Sequence, residues 1–310
     1  MMKVGLYSIT YSGTWYKGRA LTPEELVDRA AALGFSGLEL DLKRPHGFPL
    51  DWSPRRREEF RGYAGRKGIE LPAMAANNNF ASPVPELREN ELLMVHEQLK
   101  LARDLGAKVL RIFAAWNGIT RRDGVATYEI AKAHTAERGM DSLKIERWKW
   151  VRECIRECAA WAEEYGVVLA LQNHEPLIQG YEAMLEMAAE VGSAWVKCCL
   201  DAPCEACQDG EYLAKAVQAT GKLQVLSHYN GEWVRDAQGQ PVLRQFPFLG
   251  VKMANYPAFV HELKKTGYDG YMCFEFCHPA VKGHEIQGIE YVHEQTGLAL
   301  EYMQGLIEKA

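Results

Sequence analysis

The 310-residue chain is 47% hydrophobic and 25% charged, with ten Phe and eight Trp, so it carries ample apolar material for a core and no compositional sign of disorder. Its net charge of −5, with both signs interspersed, offers no field to hold a nucleic acid backbone and no polybasic strip for an anionic membrane. The opening MMKVGLYSITY is a short β-like run, and no stretch approaches ~18 uninterrupted apolar residues, so neither an export signal nor a membrane span is expected and the chain reads as cytoplasmic.

Short β-branched or apolar runs fall at 4–9, 37–42, 71–76, 109–115, 167–174, 196–202, 223–229 and 271–276, with amphipathic stretches between them. The first helix announces itself with Thr22-Pro23-Glu24-Glu25, an N-cap followed by proline and early acids, then apolar Leu26, Ala30 and Leu33 before Gly34. Similar stop signals recur at Lys67-Gly68, Leu105-Gly106, Tyr165-Gly166, Val191-Gly192 and Thr266-Gly267-Tyr268. Eight strands in strict βα alternation predict an α/β chain forming a single (β/α)8 barrel over 1–310. A doubly wound sheet would bring a glycine-rich dinucleotide turn after strand one, and Tyr11-Ser12-Gly13-Thr14 is not one.

The αβ joints are short, whereas the loops after strands four and seven are long, at about 117–146 and 230–255. In a barrel such loops form the catalytic face and shape or cover a pocket. The first carries Arg121, Arg122, Tyr128, His134 and Arg138; the second carries Arg235 and Arg244. Arg244 joins Tyr7, at the end of strand one, and Trp116, after strand four, as candidate substrate contacts. Lys43, Arg44, His46, Asn77 to Asn79 and Arg111 lie on the same face. Arg55-Arg56-Arg57 opens a helix after Pro54 and reads as a solvated face.

Eight cysteines without an export signal read as reduced thiols. Cys204 and Cys207 form a lone CxxC lacking the second pair of a zinc knuckle, and Cys154 and Cys158, at i and i+4, read as core.

Four polar residues stand out at the ends of the last four strands: Gln172 in LALQNH, Asp201 in CCLDAP, His228 in VLSHYN and Glu275 in MCFEFC. Each alone is a hydrogen-bonded rim residue. Because neighbouring strand ends converge on the barrel axis, an amide oxygen, two carboxylates and an imidazole there can close around one divalent cation. Oxygen and nitrogen donors favour Mn²⁺, with Mg²⁺, Co²⁺ or Fe²⁺ close behind and Zn²⁺ less favoured.

Taken in order, these motifs resemble the xylose isomerase-like barrel superfamily of sugar epimerases, inosose dehydratases and endonuclease IV-type enzymes. The ketose 3-epimerases of that family end strand five in Glu-Asn-His, carry Leu-Asp and a nearby His after strand six, His at strand seven and Glu at strand eight. The chain answers with Gln172-Asn173-His174, Leu200-Asp201 with Cys204, Ser227-His228 and Phe274-Glu275. Leu38-Glu39-Leu40 resembles the family's second strand and Phe248-Leu249-Gly250 its glycine-containing loop.

The resemblance implies a ligand set of Gln172, Asp201, His228 and Glu275 and places Cys204 where the family has a substrate-contacting histidine. It also pairs the missing glutamate with the Glu275 position on opposite faces of a sugar, trading protons at one carbon. Gln172 cannot accept a proton, yet its amide oxygen can still ligate a cation. Glu275 or His174 then takes the proton, His174 with an ordinary pKa near neutrality. The implied reaction is metal-assisted enolisation of a keto-sugar or cyclitol, as an isomerase or epimerase. The alternative is a lyase using the same first step, in inosose-type dehydration or cleavage of a 3-keto-glycoside or C-glycoside. An endonuclease IV-like repair enzyme is disfavoured by the acidic charge and by one ligand group per late strand, and a non-catalytic sugar-binding barrel is the remaining reading. Completion of the site by a second copy or a partner subunit stays open.

Overall fold

The computed structural model describes residues 1–122, 124–137, 143–244 and 253–309. Arg138 and the Phe248-Leu249-Gly250 segment lie outside the described residues. Among those described, eight parallel strands close into a barrel: β1 (Lys3–Tyr7), β2 (Gly37–Asp41), β3 (Ala73–Ala75), β4 (Val109–Ile112), β5 (Val168–Gln172), β6 (Val196–Cys199), β7 (Gln224–Tyr229) and β8 (Tyr271–Phe274). They pair in chain order, and β8 closes onto β1 from Lys3↔Tyr271 to Leu6↔Phe274. This is the (β/α)8 arrangement expected from the sequence.

Local chemistry accounts for the helices. Thr22 and Glu25 form a reciprocal capping box at the start of α1 (Pro23–Leu33), and Gly34 ends it at φ 94°, a conformation other residues resist. Period-two alternation then sorts the strand side chains. Leu38, Leu40, Met74, Leu110, Leu169, Leu171, Met272 and Phe274 face the helical layer and join the large outer core. Tyr7, Ala73, Ala75, Ala170, Cys199, Leu226, Tyr271 and Cys273 fill the barrel interior. That interior is crowded at its base, where a Cβ on Gly5 would stand 2.7 Å from Cys273 Sγ.

The strands stop earlier at the rim than the sequence suggests. Beyond β4, Asn78 Nδ2 donates to Phe113 O at 2.6 Å and Asn78 Oδ1 accepts from Phe113 N at 3.0 Å, so a side-chain amide replaces a neighbouring strand's backbone. Hairpins decorate the same rim after β4 (Thr120–Arg122 with residues 125–127), β7 (Glu232–Arg235 with Pro241–Arg244) and β8 (Val281–Lys282 with Glu285–Ile286). The third was not expected; its turn rests on Gly283 and His284, both at positive φ, on strands too short to show a pattern. No described helix is long and apolar enough to cross a membrane.

Candidate functional site

The rim of β5, β6 and β7 brings three of the four expected ligands into contact. Gln172 is the last residue of β5, Asp201 follows β6 by two residues, and His228 is the penultimate residue of β7. Gln172 Nε2 donates to Asp201 Oδ2 at 2.5 Å, and His228 Nδ1 lies 2.9 Å from the same oxygen. The other carboxylate oxygen accepts from the His228 backbone N–H at 2.6 Å. Gln172 Oε1 is buried and accepts no hydrogen bond. Cys199 adds a sulfur 3.5 Å from His228 Nδ1 and 3.5 Å from Asp201 Oδ1. Ligand atoms of Cys199, Asp201 and His228 all lie within 4.8 Å of one another.

Glu275, one residue past β8, is anchored by its backbone N–H to Tyr229 O at 3.0 Å. It stands outside that close group, near enough for the Asp201 and His228 charges to act on it. Crowding at the rim raises its carboxyl pKa, because desolvation outweighs the pull of His228.

A second carboxylate holds the far side of the imidazole: His228 Nε2 lies 2.9 Å from Glu39 Oε2, with His228, Glu39 and Asp201 all at most 1% exposed. Burial alone would depress the histidine pKa, but Glu39 and Asp201 together push it well above the usual range. Asp201 is shifted in the complementary direction, since His228 overcomes its burial and lowers it. Glu39 was legible only as part of a strand; its ligand-orienting position depends on β2 facing β7 across the barrel, which a linear pattern does not encode.

On the opposite wall, Tyr7 OH accepts from Arg111 Nη2 at 2.8 Å and donates to Asp41 Oδ1 at 3.3 Å. Asp41 Oδ1 also accepts from Asn77 Nδ2 at 2.6 Å, and Lys43 Nζ lies 3.5 Å from Asp41 Oδ2. The Tyr7 ring stands 5.4 Å from the His228 ring, so the two networks share one chamber. Asp41, unnoticed in the sequence, centres this wall.

A cavity of about 640 Å³, within the range of small-molecule sites, opens beside them. Its walls include Trp116, Tyr128, His174, Cys204, Glu205 and Cys277. His174 packs edge-on against Phe113 and Trp116 at 4.9 and 5.1 Å, and its Nδ1 lies 2.6 Å from Glu175 O. Burial lowers its pKa, so it stands neutral. With Nδ1–H donating to that carbonyl, Nε2 is left as an acceptor. The Cys204 thiol is pushed well above its ordinary pKa by burial and stays protonated.

Other candidates lie elsewhere. Arg244 pairs with Glu232 across the β7 hairpin and lines a separate cavity of about 570 Å³ with Trp233, Arg235 and Tyr291. Arg235 pairs with Glu301, Arg44 with Asp51, and Arg121 reaches Gly13 O. His46 is buried with Nε2 on Leu21 O, and Cys154 and Cys158 are core residues. Arg55, 86% exposed in its side chain, pairs with Glu59.

A divalent cation fits the chemistry of the first cluster. A glutamine amide whose oxygen is orphaned, a carboxylate and an imidazole nitrogen meet in one buried place, and Glu39 orients the imidazole as metal-bound histidines are commonly oriented.

Residues 27–296 match the family described as "Xylose isomerase-like TIM barrel". The chain is 30% identical over 166 residues to a xylose isomerase of Thermus thermophilus, a stretch covering 49% of this chain and 38% of that protein. It therefore spans well under half the length of that curated relative. Among solved structures, a D-psicose 3-epimerase from Clostridium cellulolyticum H10 superposes with TM-score 0.69 at 19% identity over 99% of both chains. A 3-keto-D-glucoside 4-epimerase from E. coli gives TM-score 0.67 at 17% identity over 98% of this chain and 100% of the other. An L-ribulose 3-epimerase gives 0.67 at 16% identity over 100% and 95%.

Proposed function

Because the chain belongs to the xylose isomerase-like TIM barrel family, we propose that it is a divalent-metal-dependent isomerase or epimerase of a keto-sugar or sugar-like cyclitol, acting by proton removal beside the carbonyl. The observation that carries this reading is the buried meeting of Gln172, Asp201 and His228 with the Gln172 amide oxygen unsatisfied. Those residues hold the cation, with Glu275 facing them from β8. When bound, the cation polarises the substrate carbonyl and acidifies the neighbouring C–H.

The rest of the chemistry belongs to side chains. Glu275, its carboxyl pKa raised by burial, takes or returns a proton at the carbon beside the carbonyl. His174, neutral and with Nε2 free, serves the cavity side. Trp116 offers an apolar face for the sugar ring, Cys204 closes the pocket floor, and Tyr7 presents its hydroxyl from the opposite wall. The substrate is a free small molecule in the cytoplasm, and the unit is one barrel over 1–310.

A lyase outcome is the second reading, favoured by one observation: Gln172 leaves the site with two unlike bases in place of a carboxylate pair. The same proton removal then expels a group β to the carbonyl. A 3-keto-D-glucoside 4-epimerase shares this fold, which is consistent with keto-sugar chemistry in it.

Incubation of the purified protein with ketoses, 3-keto-glycosides and inososes in D2O separates these readings. Deuterium incorporation in an otherwise unchanged sugar supports the isomerase; loss of water or an aglycone supports the lyase. Absence of exchange and of elimination with every substrate would sink both.

A further inference from the structure

We propose that Cys199 is a thiolate ligand of the cation and that the site accordingly selects a thiophilic divalent ion of the Zn²⁺ or Co²⁺ class; this rests on the metal reading above. Cys199 ends β6 pointing into the barrel, in register with Gln172 on β5, whereas its neighbour Cys198 faces the helical layer. Its sulfur is fully buried and lies 3.5 Å from both His228 Nδ1 and Asp201 Oδ1. Ligands bound tetrahedrally at about 2.0 to 2.3 Å stand roughly 3.5 Å apart, which is the distance of the Cys199 sulfur from each of its two neighbours. Three protein donors would leave a further position for the substrate carbonyl, with the unpaired Gln172 Oε1 on the adjacent strand.

Charge favours the same donor set. A Cys199 thiolate would add a second negative donor beside Asp201 and His228, the thiol proton passing to solvent as the ion binds. Sulfur also changes the selection, since thiolate favours Zn²⁺ over the oxygen-seeking Mn²⁺ and Mg²⁺ that carboxylate and amide donors alone would suit. Glu275, which lies outside the close cluster, is then left off the cation and free to carry protons.

The test is spectroscopic and independent of turnover. The protein is stripped with a chelator, reconstituted with Co²⁺ and scanned from the near ultraviolet to the visible. Sulfur-to-cobalt charge-transfer absorption is expected in the near ultraviolet, lost in Cys199→Ser and retained in a Cys204→Ser/Cys207→Ser double variant. Cobalt bound with no such band, or with the band intact in Cys199→Ser, overturns the proposal while leaving the metal site standing. A protein that takes up no cation at all removes the metal reading itself. Should Cys199→Ser fail to fold, the Cd²⁺ charge-transfer band of a protein with Cys204, Cys207, Cys273 and Cys277 all changed to Ser decides: present it supports ligation by Cys199, absent it excludes it.

Discussion

Asn173 holds both backbone polar groups of Asp201 with one side chain, donating from Nδ2 to the Asp201 carbonyl at 3.1 Å and accepting from its N–H at 2.8 Å. The same amide donates to Glu205 Oε1 at 2.7 Å, and Tyr212 OH donates to the other Glu205 oxygen at 2.8 Å. Asp201 is thus fixed just past the end of β6, where the ladder no longer supports it. Removing the amide leaves the buried Asp201 N–H unpaired and takes a donor from Glu205, while the Asp201 carbonyl keeps the Cys204 N–H at 3.1 Å, so Asn173→Ala is expected to cost about 2 to 3 kcal/mol in denaturant unfolding. A loss below roughly 0.5 kcal/mol, the range of an ordinary surface substitution, would show that the clamp is dispensable.

Glu39 gives a prediction about cation affinity. Its carboxylate meets the imidazole nitrogen that faces away from Asp201, so it would orient the ring of a cation-bound His228 from outside the donor set. Glu39→Gln is expected to fold and to bind the cation about 10- to 100-fold more weakly by calorimetric titration. Asp201→Ala and His228→Ala should lose the ion altogether, and Gln172→Glu should keep it. Unaltered affinity in Glu39→Gln would mean that the imidazole is positioned by the barrel alone.

The barrel was legible because its signals are local: each strand is an apolar run, and each helix begins and ends on capping chemistry such as Thr22 with Glu25 and Gly34. Gln172, Asp201 and His228 were legible for a related reason, as polar residues interrupting apolar strand ends. Glu39, Asp41 and Cys199 escaped because an inward acid or thiol on a strand looks like any alternating residue until the barrel closes. Arg244 illustrates the converse, a loop arginine whose position depends on a hairpin fold that pairs it with Glu232 and turns it to a different cavity.

Stability should also carry a pH signature from a residue away from the cluster. Glu91, on the helix Pro85–Leu105, is pushed up to about 7 from 4.5 by burial, although the Asn79 backbone N–H partly offsets this. The folded chain therefore holds this proton more tightly than the unfolded chain. Stability is unaffected by Glu91 below the unfolded value, falls as pH rises between the two values, and is flat above the folded one. Glu91→Gln should accordingly stabilise the protein by up to roughly 3 kcal/mol near pH 8 and by nothing near pH 4. Parallel stability curves for parent and variant across that window would remove the assignment.

His174 allows the two unlike bases to be told apart. Its Nδ1–H is engaged by Glu175 O, its ring is wedged between Phe113 and Trp116, and its lowered pKa keeps Nε2 unprotonated on the cavity side. Glu275 works from the other direction, off β8. If each serves one face of the carbon beside the carbonyl, His174→Gln and Glu275→Gln should each lower overall turnover by about 10²- to 10⁴-fold. Each variant should nevertheless retain solvent exchange from the face its surviving partner serves, so that one epimer of the substrate exchanges and the other does not. If one variant abolishes exchange of both epimers and the other abolishes none, a single base does the work, which is the pattern a lyase requires of its first step.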